Sequence, residues 1–316
     1  MSVFSAAVMA AEHDAAAWLE RMIRSAHQLN YTGTFVYQQN GSLQSMKIIH
    51  AVSENGERER LVSLTGPSRE VIRNRAGVTC FLPEDSSIAM EHSPGAQRPR
   101  LPLNLPSDLD PLREFYEIHL EGEDRIAGLS ARKVVIVPRD VYRYGHSFWV
   151  AIDSGLLLRA EVVNEKGEIV EQVMFTSLEM HESIPESQLQ PQFSGKAKVL
   201  QLGRKSQPNK RPKPAHTEWQ VSKLPTGFSQ RLLRTYLPPG KQHPVQHHVY
   251  SDGLASVSVF IERHGDEGGV AFTGGSAMGG VNAYGRLLDE YSVTVVGEVP
   301  PVTVRQIAES LRRVQP

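Results

Sequence analysis

The sequence predicts a mainly β protein of two domains. In the first, many antiparallel strands wrap one helix; the second is a small α+β unit with an antiparallel sheet and a helix. Three observations predict this. At 316 residues the chain exceeds what most single cores bury. Turn signals recur roughly every 12 to 15 residues between short β-rich stretches, the signature of a meander. A basic, proline-broken stretch at 196–213 then divides the chain.

Composition narrows the function classes. Hydrophobic residues make up 40% and charged residues 22%, with a formal net charge of -1, so no global field draws the chain to nucleic acid or acidic lipid. The single cysteine, Cys80, excludes an intrachain disulfide and any CxxC motif. Its apolar strand context between Val78 and Leu82 reads as a buried, inert thiol.

The elements follow in order. Residues 1–12 are a short run of small and apolar residues resembling the end of a signal peptide, which implies an exported, periplasmic mature chain. Asp14 is placed to cap a first helix over 15–27, where Trp18, Leu19, Met22, Ile23 and Ala26 recur at helical spacing. The stretch YTGTFVYQQNGS opens the strands, with Tyr31, Phe35 and Tyr37 on one side and Thr32, Thr34 and Val36 on the other. Asn40-Gly41 and Asn55-Gly56 are hairpin signals. Strands are expected at 43–52, 58–64, 69–74 and 78–82, then at 116–121, 132–138, 146–153, 156–164 and 169–178. Between the two groups, 84–111 is proline-rich and without period, a long loop. About ten strands behind one helix are too many for a flat sheet, so a strongly curved sheet or open barrel is expected.

The first domain is thus 13–195, the linker 196–215 and the second domain 216–316. The linker's bland reading is an extended, solvated segment; its sharper one is a patch for lipid phosphates. In the second domain, 254–262 and 292–299 read as strands. Thr303 with Gln306 reads as a capping box opening a last helix whose buried stripe is Val304, Ile307, Ala308, Leu311 and Val314.

Motifs for chemistry are scarce. No GxSxG elbow, GxxxxGK[ST] loop or HExxH helix is present. GGSAMGG at 274–280 lacks a following lysine and helix, so it reads as a hairpin loop rather than a phosphate cradle. Among His243, His247 and His248, adjacent strand positions face opposite ways, which argues for satisfied histidines over a metal site. The carboxylate pairs Glu57/Glu59 and Glu84/Asp85 flank turns. No catalytic residue, metal or cofactor is assigned. Apolar residues on both faces of the strands, with Phe148 and Val150 joining Tyr31, Phe35 and Tyr37, leave two readings open: core filled by the helix, or a wall for an acyl chain.

Longer stretches carry a resemblance. GTFVYQQNGSLQSMKIIHAVSENGERERLVSLTGPSREVIRN, YRYGHSFWVAIDSGLLLRAEVVNEKGEIVEQVMFTSLEM, LPTGF, PVQHHVYSDGLASVSVFIE, GGVNAYGR and VTVVGEVPPVTVRQIAESL resemble, in order, the RseB/MucB family of periplasmic regulators of the sigma-E (AlgU-type) response. The resemblance implies an unclosed first-domain barrel similar to LolA and LolB. It implies binding to the periplasmic domain of a membrane-spanning anti-sigma factor (RseA/MucA type), shielding it from a site-1 protease of the DegS type. Release by lipid or lipopolysaccharide is implied too. A homodimer is among the expected assemblies, and no nucleic-acid partner is. On this reading Tyr31, Phe35, Tyr37, Phe148 and Val150 line or border a lipid cavity. Tyr142, Arg143, Tyr144, Tyr250 and Asp252 are expected as exposed anti-sigma contacts, against a plainer reading as turn residues beside Gly145 and Gly253. The alternative class is a lipid or lipoprotein carrier using the barrel alone; a secreted hydrolase would need a nucleophile and base that the sequence does not show.

Overall fold

Ala15, Leu19, Met22 and Ala26 fall on one stripe of a helix and are all buried. In the computed structural model that helix, α1, runs Val3–Gln28. The structure describes residues 3–39, 41–54, 56–83, 105–106, 108–193, 197–203, 218–238, 241–264 and 271–314, without side chains at 3–14 and 197–203. Asp14 therefore lies inside the helix rather than capping it, because the apolar stretch before it continues the same helical path. The 1–12 segment is helical from Val3 onward. No helix among the described residues is long and apolar enough to cross a membrane.

The strands of the first domain are β1 (Asn30–Gln39), β2 (Ser42–Ser53), β3 (Gly56–Ser63), β4 (Glu70–Asn74), β5 (Gly77–Pro83), β6 (Tyr116–Ile126), β7 (Leu129–Pro138), β8 (Gly145–Ala151), β9 (Leu157–Val163), β10 (Ile169–His181) and β11 (Ala197–Gly203). They form one sheet in the order β11-β5-β4-β3-β2-β1-β10-β9-β8-β7-β6, ending on two edges rather than closing. Strand β11 falls where the linker was expected: it pairs antiparallel with β5, so the first part of that segment belongs to the sheet. Its later part, 204–213, and most of the 84–111 loop lie outside the described residues.

Both faces of the sheet are covered. On one, Ala15, Leu19 and Met22 of α1 pack on Tyr116, Ile118, Val134, Ile136, Phe148 and Val150. On the other, Ile126, Ala131, Trp149, Ala151 and Leu158 form a separate cluster. A further cluster joins Ile49 and Ala51 to Leu189 of the short helix α2 (Glu186–Leu189). Beside it, Arg60 pairs with Glu70 at 2.5 Å, both buried, and the Gln192 amide donates to the same carboxylate at 3.1 Å. Such a pair is buried only because its remaining hydrogen bonds are met.

The second domain contains β12 (Trp219–Val221), β13 (Ser229–Tyr236), β14 (Val245–Ser251), β15 (Ser256–Arg263), β16 (Gly274–Met278), β17 (Val281–Leu288), β18 (Tyr291–Gly297), α3 (Pro301–Ser310) and β19 (Leu311–Arg313). Six of the strands pair in the order β13-β14-β15-β18-β17-β16, and β12 pairs with β19. Val257, Val259, Ile261, Val293 and Val295 alternate inward to meet Val304, Ile307 and Ala308 of α3. The last helix is shorter than its stripe predicts: the chain extends at Leu311 to pair with β12, and Val314 is exposed. The capping box is also absent. Pro300 takes the cap position and offers no side-chain bond, which frees Thr303 and Gln306 for contacts outside their own helix.

Candidate functional site

The barrel-wall residues are placed first. Cross-strand register lines up Tyr37, Val173, Ala160, Phe148 and Val134, so the expected wall residues of β1 and β8 share the face that α1 covers. Within it they divide. Tyr31 and Phe35 pack with Met46, Ile48, Val173 and Phe175, whereas Phe148 and Val150 pack directly under α1. Tyr31 stacks on buried His50 at 4.9 Å, and burial together with Glu59 and Glu57 pushes its hydroxyl well above the ordinary phenol range. Tyr31, Phe35, Phe148 and Val150 are buried core residues, and Tyr37 is half-buried.

The second predicted set requires a correction. Arg143, Tyr144, Tyr250 and Asp252 are not exposed. Each is at most 5% accessible, and Tyr142 is half-buried. The turns beside Gly145 and Gly253 are surface loops of their own domains, but each is covered by the other domain.

Arg143 and Asp252 meet there. Arg143 Nε donates to Asp252 Oδ2 at 2.6 Å, with both side chains 0% exposed. The other guanidinium nitrogens donate to the Asp140 carboxylate and to the Thr226 carbonyl. The guanidinium lies 4.9 Å from the Phe115 ring centre, 5.2 Å from that of Phe228 and 5.6 Å from that of Tyr116. Planar stacking on aromatic rings suits a guanidinium and not an ammonium. Asp252 Oδ2 also accepts from the Tyr116 hydroxyl at 2.9 Å, while Oδ1 accepts from the Leu254 and Ala255 amides at 2.9 and 2.7 Å. Burial, and then the Asp252 charge, push the Tyr116 hydroxyl far above its ordinary range, so it remains a donor. Burial holds nearby His146 neutral, its pKa lowered to about 4.

Around this pair the domains interlock. Thr303 Oγ1 donates to the Tyr142 carbonyl at 2.8 Å, and the Tyr142 hydroxyl donates to Gln306 Oε1 at 3.0 Å. Asn282 Nδ2 donates to the Tyr144 hydroxyl at 2.8 Å. Leu254 packs against the first domain's core beneath α1. At Gly227, with φ +87°, an added Cβ would lie 2.5 Å from the Phe115 ring, so the close approach of the two domains requires glycine.

A second part of the seam is acidic. Gln39 Nε2 donates to Glu171 Oε2 at 3.1 Å, and an added Cβ at Gly280 would sit 3.3 Å from Glu298 and 3.7 Å from Val170. Glu171 is buried and Glu298 keeps an exposed surface. Desolvation by surrounding protein, and then the Glu171 charge, raise the Glu298 carboxyl to about 7, and burial raises Glu171 as well.

The remaining candidates are structural. His247 stacks on Phe260 at 4.4 Å and bonds Arg234 Nε at 3.1 Å and Ser258 Oγ at 3.0 Å; burial lowers it and His248 to about 4. Among the described residues no group of three or more His, Cys, Asp or Glu could hold a metal ion. Cys80 is buried. GGSAMGG forms β16 and the turn into β17. Tyr116, Asp140, Phe228, Asn282 and Glu298, all at the seam, are not singled out by the sequence, and Thr303 reads there as a helix cap rather than as a seam contact.

Comparison with known proteins fixes the family. A model of the MucB/RseB N-terminal domain matches residues 14–193, and one of the MucB/RseB C-terminal domain matches 213–312. The sigma factor AlgU regulatory protein MucB of Pseudomonas aeruginosa is 34% identical over 311 residues, covering 95% of this chain and 91% of that protein. The sigma-E factor regulatory protein RseB of Salmonella typhimurium is 27% identical over 317 residues, covering 98% and 94%. The solved MucA/MucB complex of P. aeruginosa aligns with a TM-score of 0.75 at 31% identity, covering 96% of this chain and 100% of that one. The chain belongs to the MucB/RseB family.

Proposed function

We propose that this protein is a periplasmic negative regulator of a sigma-E-type factor. It binds the periplasmic domain of a membrane-spanning anti-sigma factor of the MucA type and shields it from a site-1 protease. The observation that carries the reading is alignment over both domains with MucB solved as a MucA/MucB complex. Steric protection needs affinity and a correctly shaped surface, not turnover, and the relatives are named as regulators. Release by lipid or lipopolysaccharide belongs to the same reading: a ligand that prefers the unbound arrangement lowers affinity for the partner by that preference. Tyr31, Phe35, Tyr37, Phe148 and Val150 share an apolar face from which an acyl chain could displace packing. Tyr142, Arg143, Tyr144 and Asp252 act on the partner by way of the seam they occupy, and Tyr250 supports it from the core of the second domain.

The test mixes the full chain with a MucA-type periplasmic domain, measuring binding by calorimetry and cleavage by a DegS-type protease. Saturable binding with slowed cleavage is expected, reversed by added lipopolysaccharide. Absence of binding and protection overturns the reading. Lipid binding without partner binding would favour a carrier instead.

A further inference from the structure

The centre of the seam is ionic where a permanent interface would be apolar. Two charged side chains, fully removed from water, face each other from different domains. A buried pair of this kind adds little net stability over apolar groups of the same shape, but leaving one charge without the other is costly. Between domains there is a third option, since on separation both charges regain water together. Such a seam has one well-defined closed register and an open state that is not heavily penalised. Each half is also prepared by its own domain. Asp140 orients the Arg143 guanidinium from within the first domain, and the Leu254 and Ala255 amides fix the Asp252 carboxylate from within the second. Of the bonds made by this pair, those of Arg143 to Asp252 and to the Thr226 carbonyl and that of Tyr116 to Asp252 cross the seam.

We propose that the Arg143–Asp252 pair is a reversible latch: it positions the two domains in the one closed arrangement to which the anti-sigma partner binds. This rests on the function proposed above and deepens it, by assigning control of affinity to residues held inside the protein. Partner binding then reads the fraction of closed molecules, because apparent affinity falls with the population of the competent state.

The experiment uses the full chain, with small-angle scattering for domain separation and calorimetry with a MucA-type periplasmic domain for affinity. Asp252→Asn keeps the Oδ1 acceptor of its turn but turns an amide toward Arg143 Nε and the Tyr116 hydroxyl. The expected result is a larger radius of gyration and binding weakened roughly tenfold or more, with near-ultraviolet dichroism of the second domain retained. Arg143→Lys, which keeps charge but loses the fork and the ring stacking, should fall between. The double variant Arg143→Met/Asp252→Asn removes both charges and should close again and recover binding, an outcome that a merely structural loss would not give. If Asp252→Asn unfolds the second domain, Arg143→Lys carries the same comparison. Three outcomes overturn the latch: wild-type scattering and affinity in the single variants, open domains with undiminished affinity, or a double variant as open as Asp252→Asn. If the unmodified chain binds no partner, the function reading fails while the scattering series still reports on the latch.

Discussion

Phe148 carries the first prediction at the residue scale. It is fully buried beneath α1, so Phe148→Ala removes a ring from a closed environment and should cost about 3–5 kcal/mol in urea unfolding. Phe35, 5.7 Å from Phe175 and buried, should cost a similar amount, about 3–5 kcal/mol. A loss for Phe35→Ala well below that range would mark a site where the core gives way to space. The parity was legible here: the aromatic residues of β1 share one face, as their spacing implied, while the sequence left open whether that face was core or a wall for an acyl chain. Arg143 shows the opposite. Its type and its neighbouring glycine signalled an exposed loop, and nothing local to 142–145 records that Asp252, over a hundred positions away, covers it.

Elements were the most legible scale. The strands expected at 43–52, 69–74, 78–82 and 169–178 match β2, β4, β5 and β10 to within a few residues, because alternation and turn chemistry are local. What was not local failed. Strand β11, AKVLQLG, leads into the basic, proline-broken run and reads with it as linker; it is a strand because β5 presents an unpaired edge to it. The opening strand also conceals a constraint. An added Cβ at Gly33 would lie 2.8 Å from Phe175 Cε1 and 2.8 Å from the Ser177 carbonyl, beside the register shift between β1 and β10. Gly33→Ala should therefore destabilise the first domain by about 1–3 kcal/mol, measured as a lowered urea midpoint with unchanged slope. In α3, Thr303→Val keeps shape and removes the donor to the Tyr142 carbonyl. A cost of about 1–2 kcal/mol to domain docking is expected, seen as wider separation in scattering while α3 stays helical by circular dichroism.

At the scale of the whole molecule, the acidic part of the seam makes docking depend on pH. The Glu298 carboxyl is raised to about 7 from an ordinary 4.5 by desolvation and then by Glu171. Because the residue keeps an exposed surface, water screens part of this effect, so the dependence is shallow. A group with a higher pKa when docked binds its proton more tightly in that state. Docking is therefore strongest below the ordinary value, declines as pH rises, and has lost this contribution once pH passes about 7. Glu171 shifts the same way through burial, against the lowering effect of the Tyr37 and Gln39 hydrogen bonds. Scattering between about pH 5 and pH 8 should show the domains separating as pH rises, and Glu298→Gln should flatten that response. An unchanged slope in the variant would assign the response to other groups.

The sequence by itself determined two domains, their mainly β class, most strand positions, the helix on each sheet and, through long ordered stretches, the MucB/RseB resemblance. All of these rest on local periodicity, turn chemistry or residue order. Only the tertiary structure decided which loops are surface and which are seam. Burial depends on what the rest of the chain brings near, and a turn signal describes a backbone bend without saying what lies over it. Arg143 and Asp252 were each singled out as polar residues beside turns, and it took the folded chain to place them against one another.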